Sequence, residues 1–163
     1  SVEAVKMMRA AARLGRQLPG VRAQGATTTS VRAMMDGRRE GKAPDGWKQV
    51  LFIETGVGAD QHGQDATKAC VRACRNSIEF NSIPSISKIV PGGYDQMRLY
   101  VKIGTPFPET VRTEELEKVF PYGKIQFEVV EGGLKWQSGI AIDALGDSND
   151  DAITAVAAVT VGY

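Results

Sequence analysis

The segment from residue 66 to residue 80 constrains the fold more than any other, because its two helical faces differ sharply. Charged side chains recur at helical spacing along one side: Lys68, Arg72, Arg75 and Glu79. The opposite side carries mostly small residues: Ala66, Ala69, Cys70, Ala73 and Ile78. Asp65 can cap the first turn, since a carboxylate there accepts free backbone N–H groups. The sequence therefore predicts a helix packed closely on a sheet, with Cys70 and Cys74 as buried thiols.

Four segments have the length and composition of strands. Residues 97–103 alternate apolar and polar side chains, as a half-exposed strand does. Residues 49–54 and 124–130 are shorter apolar runs of strand type. Residues 152–161 are apolar and β-branched on both faces, which is typical of a strand buried on both sides or at a subunit contact. A fifth short strand is predicted at 86–90, and Thr113 is predicted to cap a helix that ends at Pro121.

This order of elements predicts an α+β fold, a two-layer sandwich with a sheet of about four to five strands and two helices on one face. The length of 163 residues suits one domain with an extension, so residues 1–46 are predicted as a basic N-terminal extension and 47–163 as the domain. The other face of the sheet must then be polar or covered, and self-association is the simplest cover.

The N-terminal extension differs from the rest of the chain in charge. Residues 1–43 contain nine basic and three acidic residues, whereas the remainder contains 11 basic and 16 acidic residues. Residues 7–18 form a basic amphipathic pattern with candidate partner-binding residues Arg9, Arg13, Arg16, Leu14 and Leu18. The pattern resembles an organellar transit sequence, and an anionic lipid or an acidic protein surface would suit it. We expect no transmembrane segment and a soluble or peripheral protein.

Residues 55–64 are predicted as a glycine-rich loop between the first strand and the first helix, and this loop holds the single histidine of the chain. Gly56, Gly58, Gly63 and Asp65 are candidate anion-binding residues, because backbone N–H groups converge at a helix N-terminus. His62 is a candidate catalytic acid or base with Asp60 as its partner. A metal site of His62, Asp60 and Glu131 is an alternative. The competing interpretation is purely structural, with glycine turns and capping carboxylates.

Known ligand motifs do not account for this cluster. It departs from the dinucleotide fingerprint and lacks the Gly-Lys-Ser/Thr of a P-loop, so the cofactor remains unknown. Gly132 and Gly133 indicate a turn or bulge after a strand. The acidic run 143–151 lacks the central glycine and terminal glutamate of an EF-hand loop and is interpreted as solvated.

Three runs together resemble a small conserved-hypothetical family: LFIETGVGADQHGQDATKACVRACRNSIEFNSIPSI, MRLYVKIGTPFPE and VEGGL. The family is marked by a G-x-G-x-D-x-H-G signature, complete here at Gly56, Gly58, Asp60, His62 and Gly63. The resemblance covers about residues 49–136. It implies occurrence in bacteria and, with a long N-terminal extension, in photosynthetic eukaryotes, which favours a plastid over a mitochondrion. It implies no activity.

Two functions remain open at this point. The chain is either an accessory subunit of a large organellar assembly, tethered by its basic extension, or a small-molecule or metal-binding enzyme that uses residues 56–65. The expected partners are protein subunits of that assembly or further copies of the chain. Nucleic acid is not an expected partner, because the domain is acidic and lacks interleaved aromatic and basic residues.

Overall fold

Five strands form one mixed sheet in the computed structural model, which describes residues 43–163. The strands are β1 Val50–Asp60, β2 Arg98–Thr105, β3 Lys124–Glu131, β4 Leu134–Gln137 and β5 Asp151–Gly162. Their order is β1-β5-β2-β3, with β4 paired to the first residues of β5. Only β2 and β3 are parallel. β5 is a central strand, paired with β1 on one edge and with β2 and β4 on the other. Only its face toward α1 is buried within residues 43–163, since Val156 on the other face is 43% exposed.

The helical elements are α1 Ala66–Ile78, α2 Ile86–Ile89 and α3 Thr113–Glu117, with 3₁₀ turns at Gly93–Gln96, Pro108–Thr110 and Asp143–Leu145. The N-cap of α1 is Asp65, whose side chain accepts a hydrogen bond from the Lys68 backbone N–H at 3.1 Å. Leu116 of α3 joins the same core as the buried face of α1. The predicted α+β class is thereby confirmed.

The contact between α1 and β1 is close because neither element carries large side chains there. A Cβ atom on Gly56 would lie 2.3 Å from the Ala73 carbonyl oxygen, and one on Gly58 would lie 2.3 Å from the Ala69 carbonyl oxygen. Ala69 and Ala73 present only methyl groups to the strand, and both are fully buried. The two glycines therefore set the distance between helix and sheet.

This contact corrects the predicted glycine-rich loop. β1 continues to Asp60, so Gly56 and Gly58 lie inside a paired strand and face α1. They are not part of a loop around an anion. The connection between β1 and α1 is residues 61–65, half the predicted length.

The two cysteines of α1 are free thiols on its buried face, as predicted. Burial raises the pKa of Cys70 to about 11 and that of Cys74 to about 12. Both thiols therefore stay protonated at neutral pH, and their contribution is packing.

The predicted strand at 86–90 is wrong. α2 forms there as a single helical turn, with the Val90 backbone N–H bonded to the Ile86 carbonyl oxygen at 2.9 Å. Ile86 and Val90 are both buried. Their four-residue spacing suits one face of a helical turn, whereas strand alternation would also bury Lys88.

The sequence also gave no indication of β4. Gly132 and Gly133 carry the chain over the end of β2 and into pairing with β5, with Gly133 at φ +69°. A Cβ on Gly133 would lie 2.1 Å from the Thr154 carbonyl oxygen. These glycines thus permit a backbone crossing and not only a turn.

The side chains of the sheet that point away from α1 form what we call the open face. Alternation from Gly56 and Gly58 places Ile53, Val57, Val156 and Leu134 on it. Their exposed fractions are 62, 56, 43 and 58% respectively. No element within residues 43–163 covers this face. The predicted partner-binding residues of the extension lie outside the described residues.

We predict that Gly58→Ala destabilises the domain by about 2–4 kcal/mol, because its methyl group meets helix backbone that cannot rotate away. Urea unfolding followed by circular dichroism measures the change. Gly104→Ala is the matched control, since the same methyl group there meets its nearest atoms at 3.4 Å. We expect it to cost less than about 1 kcal/mol. Equal losses in the two variants would contradict the packing role of Gly58.

Candidate functional site

The C-terminal ends of three strands lie at the same end of the sheet. β1 runs antiparallel to β5, and β5 runs antiparallel to β2, so β1 and β2 end on the same side. β3 ends there too because it is parallel to β2. α1 begins at this end, five residues after β1. The carboxyl ends of strands beside a helix N-terminus are a common place for a binding site.

His62 lies in the connection at this end and contacts a carboxylate that the sequence did not single out. Its Nδ1 lies 2.8 Å from Oδ2 of Asp147. An ionised carboxylate only accepts hydrogen bonds, so Nδ1–H of His62 is the donor in this contact and Nε2 is the ring nitrogen that does not touch Asp147. The side chain of Asp147 is 1% exposed and that of His62 is 34% exposed. The pair therefore has a buried carboxylate and an accessible imidazole.

Asp147 is held by the backbone as well as by His62. It accepts hydrogen bonds from the N–H groups of Gly63 at 2.6 Å and Ile142 at 2.8 Å. The hydrogen bond from His62, followed by those from Ile142 and Gly63, lowers the pKa of Asp147 to about 2. Asp147 is thus ionised throughout the neutral range and fixes the orientation of the His62 ring.

Gln64 also links the connection that carries His62 to the segment that carries Asp147. Its side-chain amide donates to the Asp151 carbonyl oxygen at 2.9 Å and accepts from the Ser148 N–H at 3.0 Å. Its backbone has φ +49°, the single positive φ outside glycine among residues 43–163. Most of the acidic run 143–151 is exposed, as predicted, but Asp147 is buried against the connection that carries His62, which the sequence did not indicate.

Asp60 does not pair with His62, which corrects the predicted catalytic pair. The Asp60 side chain is 1% exposed, and its Oδ1 lies 2.9 Å from Arg72 Nη1 and 3.0 Å from Lys68 Nζ. Its Oδ2 accepts from the Asp65 N–H at 3.1 Å. Asp60 therefore joins the end of β1 to the first two turns of α1, and this role is structural.

Gly63 and Asp65 are the two predicted anion-binding residues that do lie near a cleft. The cleft has a volume of about 340 Å³ and is lined by Gly63, Gln64, Asp65, Ala66, Phe107, Thr110 and Arg112. Burial acts to raise the pKa of Asp65, but hydrogen bonds from the Lys68 backbone and from Arg112 outweigh it and lower that pKa. A carboxylate therefore already occupies the helix N-terminus, which disfavours an anion there.

The predicted metal site does not assemble. Glu131 ends β3 beside Thr105, Asp60 is paired with two cations, and His62 is paired with Asp147. Within residues 43–163, no group of three or more His, Cys, Asp or Glu side chains is arranged to hold a metal ion. The contact with Asp147 orients the imidazole of His62 in a way that suits proton transfer or hydrogen bonding.

We predict that His62→Ala raises the pKa of Asp147 from about 2 toward 3.8, because the variant removes the leading hydrogen bond to that carboxylate. A pH titration of the carboxyl carbon by NMR measures it. The folded-state pKa of Asp147 lies below its unfolded value, so the interaction stabilises the fold above about pH 4 and is lost as the pH falls through about 2.

His62→Asn is the control, since its side-chain amide can keep a donor near Asp147. We expect an intermediate pKa in this variant. A pKa of Asp147 that stays near 2 in His62→Ala would show that the backbone donors alone determine it.

The comparisons with known proteins agree with the resemblance seen in the sequence. No curated protein matches the chain. A solved structure that matches is the crystal structure, at 1.22 Å resolution, of an FtsZ-like protein of unknown function from Nostoc punctiforme PCC 73102. It is 41% identical, with a TM-score of 0.62, and the match covers 69% of this chain and 93% of that one. The profile of a conserved hypothetical protein family, Lin0512, matches residues 50–161. The chain belongs to the Lin0512 family of conserved hypothetical proteins.

Proposed function

We propose that the chain is an accessory subunit of a larger assembly and that its domain docks through the open face of the sheet. One observation carries this proposal. Ile53, Val57, Val156 and Leu134 expose between 43 and 62% of their surface on one continuous sheet. Scattered exposed apolar residues are ordinary in proteins, but a grouped set beside polar neighbours marks an interaction surface.

The register of the sheet shows how these side chains group. Val57 pairs with Val156, and Val156 and Val130 both pair with Gly104, so one apolar row crosses β1, β5, β2 and β3. The neighbouring row contains Leu134, which pairs with Thr154. Apolar side chains on adjacent strands at about 4.8 Å spacing form a continuous surface. This half of the open face suits burial against a protein partner.

The other half of the open face is polar. Lys102 Nζ lies 2.9 Å from Oε1 of Glu128, and the Tyr100 hydroxyl also donates to Glu128. The hydrogen-bonding groups of these three side chains are paired with one another. This part of the open face is therefore polar and carries no unpaired charge from them. Ile53 pairs with Thr160, which also pairs with Tyr100, so the row that contains Lys102 lies between Ile53 and the row of Val57. Protein interfaces commonly combine apolar area with polar groups of this kind.

We further propose that the assembly is organellar, in a plastid and of photosynthetic function, and that the basic extension is its tether. The support is the sequence: a basic amphipathic segment at 7–18, and a family resemblance that includes photosynthetic eukaryotes with long extensions. Among the described residues, no helix is long and apolar enough to cross a membrane. The tether would then act on a protein or lipid surface.

We predict that the endogenous protein migrates with a large complex after gentle detergent extraction and size separation. Ile53→Glu and Val57→Glu should each shift it to its own small mass, because an unpaired charge would be buried at the interface. Phe80→Glu is the matched control, since Phe80 is exposed but follows α1 and lies outside the open face. Migration of the wild-type protein as a free small oligomer would contradict the proposal.

A second function is favoured by the geometry of His62 and Asp147. A buried carboxylate that orients a partly exposed imidazole is an arrangement for general-base catalysis, so a small-molecule enzyme is the alternative. No serine or cysteine is placed against the ring among the hydrogen bonds of residues 43–163, so no nucleophilic mechanism follows.

This alternative predicts that the protein accelerates hydrolysis of the activated ester p-nitrophenyl acetate. His62→Ala should abolish the acceleration, and Asp147→Asn should reduce it by about tenfold or more, because the ring loses its orienting carboxylate. Lys135→Ala is a control at the same end of the sheet. Hydrolysis that is equal in the wild-type protein and in His62→Ala would exclude this function.

A further inference from the structure

A cavity of about 410 Å³ lies at the end of α1 opposite to His62. Its lining comes from β1, the segment after α1, α2, the 3₁₀ turn Gly93–Gln96, β2, the segment after α3 and β5. Pockets for small organic molecules fall in the range of about 300–1,000 Å³. The cavity is therefore large enough for a compact ligand.

The interior of the cavity is apolar. Leu99, Val159 and Val161 of the buried sheet face contribute to it, together with Met97 and Phe120. All five side chains belong to the hydrophobic core. A ligand that enters would bury its own apolar body against these residues, at about 25 cal/mol per Å² removed from water.

Glu54 is the one charged residue among those that line the cavity. It belongs to β1, on the face of the sheet that carries Gly56 and Gly58. Its carboxylate has no hydrogen bond or ion pair within residues 43–163, unlike the paired carboxylates of Asp60 and Asp147. A carboxylate beside apolar residues is more favourable with a cationic partner than without one.

Two partly exposed aromatic rings also line the cavity. The ring centroids of Tyr94 and Tyr122 are 4.9 Å apart, with an angle of 42° between their planes. The two residues are 37 and 52% exposed, so each ring presents part of its surface to solvent and to the cavity. The π-face of tyrosine attracts cations and repels anions.

We propose that this cavity binds a small organic amine, with its ammonium group against the Glu54 carboxylate and the rings of Tyr94 and Tyr122. The apolar body of the amine packs on Met97 and Phe120. A neutral alcohol of equal length can donate one hydrogen bond to Glu54 but brings no positive charge, and a carboxylate anion is repelled by it. This site is separate from the open face and from His62, so it does not depend on the proposed function.

Titration of the full chain with n-hexylammonium tests the proposal, with 1-hexanol and hexanoate as isosteric probes, followed by NMR signals of the tyrosine rings. We expect the ammonium to bind at least about tenfold more tightly than the alcohol, and hexanoate to bind more weakly than both. Glu54→Gln should remove the preference for the ammonium. Glu109→Gln, which changes an exposed carboxylate outside the cavity, should keep that preference.

Tyr122→Leu gives a second test that leaves β1 intact. It should weaken binding of n-hexylammonium more than that of 1-hexanol, because only the cation interacts with the ring quadrupole. Equal affinity for the ammonium and the alcohol, unchanged binding in Glu54→Gln, or signal shifts confined to residues outside the cavity would each overturn the proposal.

Discussion

The rest of the structure depends on the close approach of α1 to β1. Gly56 and Gly58 present no side chain, and Ala69 and Ala73 present only methyl groups, so helix and strand backbones nearly touch. Glycine inside a strand usually weakens it, since it packs no side chain and loses more entropy on folding. Here that cost is offset by tight packing between the layers, which buries the central strand β5 beneath α1.

This contact also determines where chemistry can occur. With α1 fixed on one face, the five-residue connection after β1 must turn sharply, and it places His62 next to the loop that carries Asp147. Within residues 43–163, the same arrangement leaves the opposite face of the sheet without cover. Three surfaces result: an oriented histidine at one end, an apolar cavity with Glu54 at the other, and an open face that suits a protein partner.

Local sequence patterns predicted much of the fold. They predicted less of the candidate site, because that site depends on contacts between distant parts of the chain. The helix with its Asp65 cap and the alternation at β2 are local signals, and both are confirmed. The sequence Gly56-Val57-Gly58 is compatible with a loop and with a strand. Only the tertiary contact with α1 explains why glycines occur inside this strand. Asp147 lies 85 residues from His62, so no spacing in the sequence could connect them. Residue type alone favoured Asp60 and Glu131 as metal ligands, but the fold pairs Asp60 with Lys68 and Arg72. Glu131 ends β3 beside Thr105 and does not join a metal site with His62.

The central claim is that the open face is buried against a partner in the native assembly. Hydroxyl-radical footprinting tests this claim most directly. The extent of oxidation of Ile53, Val57 and Leu134 is measured in the assembly and in the purified chain. We predict strong protection of these three side chains in the assembly, while Phe80, which is 85% exposed elsewhere on the domain, should react equally in both samples. Equal oxidation of the open face in the assembly and in the purified chain would contradict the account.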